Sequence, residues 1–413
     1  LNKLKKGIMG ELLFLLLLIA IVSCKNNIVS IMTSQTNVET ENDENPFSKR
    51  DPTPNKTKKE FIKWVEFNAT TNALKTAYKY DVESYGTDTK ISWIELLAYA
   101  ACKGGGDFNT KSISQIKKAA ELLQSKESTM TDLTKDMKNY NYYLEVYHAV
   151  LDGFVGEYEI QEKDTTDPTK LVWVKKYGLK TFSPIAKGFP YSGYDDFGVS
   201  RSYGYKRNHL GHDMMGQTGT PIIAVESGYI EAIGWNQYGG WRIGIRSFDK
   251  KRYYYYAHMR QNFPFCKALK EGDFVTAGDV IGYMGHTGYS AKENVNNIKT
   301  THLHFGLQLI FDESQKECNN EIWIDCYALT NFLLQNQSEA VKNVDTKEWY
   351  RVYDMREEVP DKASYITTTP NNDSDAESGT ESTPESDTES TPESTTKPDA
   401  GSSTESNTGT NAD

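Results

Sequence analysis

Cysteine is scarce in this chain, at 5 of 413 residues, which excludes a small fold stapled by disulfides. No apolar run reaches the roughly 18 residues of a membrane span. Together with a mean hydropathy of −0.63, this excludes a multi-span membrane protein. Positive charge is also short: 46 Lys and Arg stand against 57 Asp and Glu, a net charge of −11. Asn371 to Asp413 holds 11 of the acidic residues and a single Lys, so the rest of the chain is nearly neutral. No basic stripe is present, which excludes a general binder of phosphate backbones, and no nucleic-acid partner is expected. At about 100–200 residues per domain, the length allows two or three domains with ample core.

The two ends read differently from the middle. Lys3, Lys5 and Lys6 precede an uncharged apolar run, Leu12 to Val22, of the length of a signal-peptide core. The run ends at Ile21-Val22-Ser23-Cys24, which resembles the lipobox of bacterial lipoproteins. That resemblance implies cleavage before Cys24, lipidation of its thiol, and a protein held at the outer face of the cytoplasmic membrane or the cell surface. An ordinary signal peptide or an uncleaved anchor are the other readings. Residues 1–24 are thus a signal peptide with lipobox and 25–57 a flexible polar tether. Residues 363–413 are rich in Ser, Thr, Glu and Pro and nearly repeat one motif, Glu381 to Ser386 against Glu389 to Ser394. Such a segment cannot bury enough apolar area to offset its ordering entropy and reads as a disordered acidic tail.

Between the ends the chain reads as multi-domain: an all-α block over 58–160, a mainly antiparallel β block over 161–335, and an extension over 336–362. In the first block, Ser92-Trp93-Ile94-Glu95 fits a capping box. Ile113, Ile116, Ala120 and Leu123 share a helical face, and Leu133, Met137, Tyr140, Leu144, Tyr147 and Leu151 continue the pattern in steps of three and four. Gly104-Gly105-Gly106 lacks phosphate-loop spacing and reads as a helix end. His148 reads as structural, and the block carries no recognisable chemistry. In the second block, Ile222 to Val225, Trp241 to Phe248, Arg252 to His258 and His302 to Leu309 read as strands, with a turn at Asp249-Lys250. A helix packing on this domain is expected within residues 331–360.

Six of the seven histidines fall between positions 209 and 304. They form three groups: His209-Leu210-Gly211-His212-Asp213, Tyr256-Ala257-His258 and His302-Leu303-His304. Residues i and i+2 of a strand face one side, so His302 and His304 project together, and Tyr256 is expected to share a face with His258. Two imidazoles and a carboxylate are the usual donors of a catalytic zinc with an open position.

These groups, with Gly219-Thr220-Pro221, Gly272-Asp273, Gly282-x-x-Gly285-x-Thr287-Gly288 and Phe305 after the last His, resemble the M23 metallopeptidases. These are the lysostaphin-like zinc endopeptidases of peptidoglycan. The resemblance covers Arg201 to Leu309. It implies one zinc ion on His209, Asp213 and His304, with His258 and His302 as the catalytic pair and peptidoglycan as substrate. It does not say which of His258 and His302 is the general base. It also implies an antiparallel sheet with an open groove. The stretch Tyr289 to Thr301 is longer than usual for the family and is expected to extend a groove wall. Two other functions compete: a non-catalytic envelope scaffold of the same fold, and a peptidase acting on a protein.

The remaining polar residues have plainer readings. His212 follows the ligand motif but reads as a non-ligand, and His286, on a Gly-rich turn, as solvent-facing or groove-lining. The tyrosines at 253–256 read as strand packing rather than a sugar platform. Cys318 and Cys326, eight residues apart, could pair in an oxidising exterior.

Overall fold

The computed structural model describes residues 62–202, 206–316 and 320–360. The signal segment with Cys24, the tether, the acidic tail and Cys318 lie outside the described residues. No helix among the described residues is long and apolar enough to cross a membrane.

Five helices come first: α1 Thr71–Glu83, α2 Trp93–Gly104, α3 Thr110–Gln124, α4 Met130–Thr134 and α5 Tyr140–Leu151. Their starts follow capping chemistry. Thr70 accepts from Ala73 N–H at 3.3 Å, and Asn109 with Ser112 and Thr129 with Asp132 form reciprocal boxes. At Ser92 one half of the box forms: its hydroxyl accepts from Glu95 N–H at 3.4 Å. Helix α2 ends where the glycines predict. Gly105 takes a left-handed conformation (φ 64°) and Gly106 N–H donates to Ala101 O at 2.9 Å. The apolar stripe from Leu133 to Leu151 is not one continuous helix. The chain leaves α4 after Thr134 and starts α5 at Tyr140, because Met137 N–H turns back to Thr134 O (2.8 Å) and closes the first helix.

The β part begins with β1 Val155–Lys163 and β2 Leu171–Leu179, an antiparallel pair edged by a short strand, Met355–Arg356. Then come β3 Ser192–Gly193, β4 Ser200–Ser202, β5 Lys206–Asn208, β6 His212–Met215 and β7 Pro221–Ile223. The central strands are β8 Gly228–Asn236, β9 Gly240–Ser247 and β10 Arg252–Ala257. After β11 Phe274–Val275 and β12 Val280–Tyr283 follow β13 His302–Leu309 and β14 Ile322–Ile324. The main sheet has the order β11-β8-β9-β10-β13-β6-β3, with β14 paired to β13, and all its ladders are antiparallel. The β9–β10 turn sits at Asp249-Lys250, where Lys250 has φ 63° and Lys250 N–H donates to Ser247 O (2.9 Å).

A last helix, α6 Tyr327–Leu333, precedes rather than occupies most of residues 331–360. Short strands Ala340–Lys342 and Trp349–Arg351 fill that stretch instead. Beyond the helix, Asn336 N–H donates to Leu333 O (2.9 Å) and its side-chain amide donates to the carbonyls of Leu179 (3.1 Å) and Thr181 (2.8 Å).

Alternation divides β10 and β13. Tyr254, Tyr256, Leu303, Phe305, Leu307 and Leu309 are buried in a core that also takes in Leu96, Leu97, Tyr147 and Leu151 of the helices. Helical layer and sheet therefore share one apolar cluster. A buried ion pair pins the joint: Arg252 Nε donates to Glu226 Oε2 (2.8 Å), Tyr254 O–H to the same oxygen (2.6 Å), and Arg252 Nη1 to Ala149 O of α5 (2.8 Å). The opposite face of β10 and β13 carries Tyr253, Tyr255, His304 and Gln308, and it is open.

Candidate metal centre and active-site cleft

Register brings the sequence-distant residues together. His304 of β13 pairs across the ladder with Asp213 of β6, and on its other side with Ala257 of β10. Strand alternation sends Asp213 to the cleft face and His212 to the other. His212 is buried against Tyr327 and lies 2.8 Å from Thr330 Oγ1, so it is no part of the donor cluster. Burial lowers its pKa to about 4, against the opposing pull of Asp213.

His209, in the segment before β6, swings its Nε2 to 3.0 Å from Asp213 Oδ1 and 3.1 Å from His304 Nδ1. His304 Nδ1 stands 2.8 Å from the same Oδ1. Three donor atoms thus form a near-equilateral triangle. Zinc bonds of about 2.0–2.2 Å in a tetrahedral site place donors about 3.3 Å apart. The observed triangle is slightly tighter, and two imidazoles with one carboxylate are a zinc donor set. The residues fit such an ion.

The far sides of these donors are held as well. His209 Nδ1 lies 2.9 Å from Asp196 Oδ1. Arg201 donates to Asp213 Oδ2 at 2.7 Å and also to Asp196. Fixing donors from behind orients them and tunes their basicity. Burial pushes the Asp213 carboxyl up, but hydrogen bonds from His209 and His304 outweigh it and hold it far below the usual range. Gly211 is required by close approach: a Cβ there would stand 2.7 Å from Cε1 of His304.

His258 and His302 lie beside this cluster, their rings 4.8 Å apart. His258 Nδ1 is 2.9 Å from the Thr287 carbonyl and His302 Nδ1 is 2.8 Å from the Thr300 carbonyl. A carbonyl only accepts, so on both rings Nδ1 carries a proton, and Nε2 is the nitrogen not committed to the backbone. His302 Nε2 lies 3.8 Å from Asp213 Oδ2. Burial lowers the pKa of His258 well below its ordinary value, with His302 adding to the effect, so it is neutral at neutral pH.

His258 does not share a face with Tyr256. The strand stops at Ala257, and His258 takes a left-handed backbone (φ 62°) that turns its ring into the cleft. Tyr256 stays in the core, where its hydroxyl accepts from Val225 N–H at 2.9 Å. The strand-packing reading of the tyrosines therefore holds for Tyr254 and Tyr256, while Tyr253 and Tyr255 line the cleft. Period-two alternation from His304 could have separated the two pairs. His286 is tied at Nδ1 to Ile298 O (2.7 Å). Cys326 is a buried free thiol 3.5 Å from Phe305 O.

The cleft has a volume of about 630 Å³. Arg207, Arg242, Tyr238, Tyr289 and Trp323 join the tyrosines and histidines in lining it. Tyr289 opens the long 289–301 loop and its ring sits 5.7 Å from that of His258. Asn294 anchors the loop by accepting from Trp241 Nε1 (2.9 Å) and Asn262 N–H (2.8 Å). Among the described residues lining the cleft, Tyr289 alone comes from this loop.

Residues 207–318 match the sequence profile of peptidase family M23. This segment is an M23 peptidase domain. The M23 domain is homologous to the L-Ala–D-Glu endopeptidase of Bacillus subtilis, with 38% identity over 124 residues. That match covers 30% of this chain and 36% of the relative. Lysostaphin of Staphylococcus staphylolyticus is 38% identical over 98 residues, covering 24% of this chain and 18% of the relative. The chain therefore spans about a third or less of the length of these relatives. Among solved structures, the catalytic domain of Staphylococcus simulans lysostaphin is 29% identical and matches with a TM-score of 0.27 over 34% of this chain and 92% of that one. A Ruminococcus gnavus structure named for a glycyl-glycine endopeptidase is 23% identical, with a TM-score of 0.42 over 67% of this chain and 92% of that one. The M23 segment contains all five residues of the histidine and aspartate constellation, from His209 to His304.

Proposed function

We propose that this protein is a zinc-dependent endopeptidase that hydrolyses peptide bonds of bacterial cell-wall peptidoglycan. One observation carries the reading: the His209, Asp213 and His304 donors meet within 2.8–3.1 Å of one another beside an open cleft. Zinc bound there supplies a water of lowered pKa and polarises a carbonyl. His258 and His302 do the protein's share of the proton work. Their free Nε2 atoms accept a proton from the attacking water, and in protonated form they donate to the oxyanion or to the departing amine. Arg201 keeps Asp213 oriented through the oxygen that faces away from the donor triangle. The relatives named L-Ala–D-Glu endopeptidase and lysostaphin support a cell-wall peptide as substrate. Export and a lipid anchor at Cys24 would place the enzyme beside the wall.

The test is digestion of purified peptidoglycan by the zinc-loaded full chain, read by mass spectrometry of released muropeptides. Cleaved peptide bonds, absent after chelation and restored by zinc, are expected. Undigested peptidoglycan with a fully loaded protein would overturn the proposal.

A further inference from the structure

The cleft is rich in cations, and most are already engaged. Lys316 is paired with Glu231 at 2.6 Å, and Arg201 with Asp213 and Asp196. Arg242 is different. It lines the cleft from β9 and is half-buried, and its Nη1 is fully buried without a hydrogen-bond partner. Its neighbours offer no acceptor carboxylate. On β8 it faces Gly234, and on β10 it falls beside Ala257, one step beyond the Tyr256–Ile243 pair. Glu321, the one carboxylate among the described residues lining the cleft, takes the Trp323 indole N–H at 2.7 Å. The groups that sense the Arg242 charge are the phenols of Tyr253 and Tyr255.

Holding a guanidinium half out of water without a counter-ion costs free energy that an arriving anion recovers. The planar fork of Arg suits a carboxylate, which it can grip with two parallel hydrogen bonds. The position is equally informative. Ala257 also pairs with His304, so Arg242 stands in the transverse row of the metal donor, two strand spacings or roughly 10 Å away along the sheet. The Arg242 and His304 side chains line the same cleft, so a peptide lying across the metal donors passes within reach of the guanidinium.

We propose that Arg242 is a specificity residue that binds a free carboxylate on the substrate peptide beside the scissile bond, so that acidic stem peptides are preferred to neutral glycine bridges. This rests on the endopeptidase reading and names the substrate class within it.

The experiment uses the zinc-loaded full chain with two synthetic stem peptides, one carrying the free α-carboxylate of a γ-linked D-glutamate and one its amide. A pentaglycine peptide is the third substrate. Wild type is expected to favour the carboxylate over the amide by about 10- to 100-fold in kcat/KM, the worth of a charge-assisted hydrogen bond. Arg242→Gln should bring that ratio close to one, and Arg242→Lys should restore part of it. Removing an unpartnered cation orphans no buried group, so the fold is expected to survive, as a thermal melt will verify. Equal cleavage of acid and amide by wild type, preference for pentaglycine, or an equal loss on both stem peptides in Arg242→Gln would overturn the proposal. If no peptide is cut, the endopeptidase reading has failed, and calorimetric binding of the same stem peptides decides the inference. Tighter binding of the acid that Arg242→Gln abolishes supports it; equal affinities overturn it.

Discussion

At the scale of single residues, the donor triangle separates ligand from base. His304→Ala removes a donor whose Nδ1 stands within 3.1 Å of the other two, so zinc measured by elemental analysis should fall to background and hydrolysis with it. His302→Ala leaves the triangle intact. It should retain stoichiometric zinc yet lose about 100- to 10,000-fold in kcat, the usual worth of a positioned acid–base group. Gly211→Ala belongs with these, because the added methyl must displace the His304 ring. Weaker zinc retention against a chelator than in wild type is the expected result. Spacing alone showed that His302 and His304 share one side of a strand, as they do in the structure; the full donor set came from the family resemblance of the His209-to-His304 motifs. The same rule failed for Tyr256 and His258. It assumes extended backbone throughout, and a left-handed residue at the strand end reverses the direction of the side chain. Asp196, Arg201 and Arg242 had no sequence signal at all, since each acquires its meaning from a neighbour on another strand.

At the scale of elements, the joint between α5 and the sheet is the place to look for stability. Arg252, which is buried, donates to Glu226, to Asp249 and to the Ala149 carbonyl of the helix, and Tyr254 donates to Glu226 from the other side. Glu226→Ala would leave that buried guanidinium with Asp249 (2.9 Å) as its one carboxylate partner and take away the acceptor of the Tyr254 hydroxyl, and about 3 kcal/mol should be lost in urea unfolding. The same helix carries a pH-dependent contact. His148 sits in its last turn, 2.6 Å from Asp152, and the hydrogen bond to that carboxylate raises its pKa against the opposing effect of burial. A histidine whose pKa is higher folded than unfolded stabilises fully below about pH 6.5 and ceases to do so as pH climbs through the folded value. Unfolding of wild type and Asp152→Asn should therefore differ more at about pH 5.5 than at about pH 8.5. Periodicity foretold α5 from its buried Tyr140, Tyr147 and Leu151. It could not foretell the break after Thr134, which depends on a single backbone turn rather than on which residues are apolar.

For the whole molecule, periodicity and capping signals distinguished helices from strands, but not how they share a core. Leu303 and Phe305 of β13 lie in one buried cluster with Leu96, Leu97 and Leu151 of the helices. Deleting residues 1–151 would lay that face of the sheet open to water. Such a truncation should bind a hydrophobic dye, melt at lower temperature than the full chain and aggregate, even though its donor triangle is untouched. A shortened chain as stable as the parent would show that the helices add nothing to the sheet's core.

The left-handed backbone at His258 also constrains descent. Few residue types other than glycine tolerate that conformation, and asparagine and aspartate lead them. A lineage of this chain that abandoned hydrolysis would be free to discard the imidazole but not the torsion angle. Its fossil trace should be Asn, Asp or Gly at position 258, where drift among all amino acids would otherwise be expected.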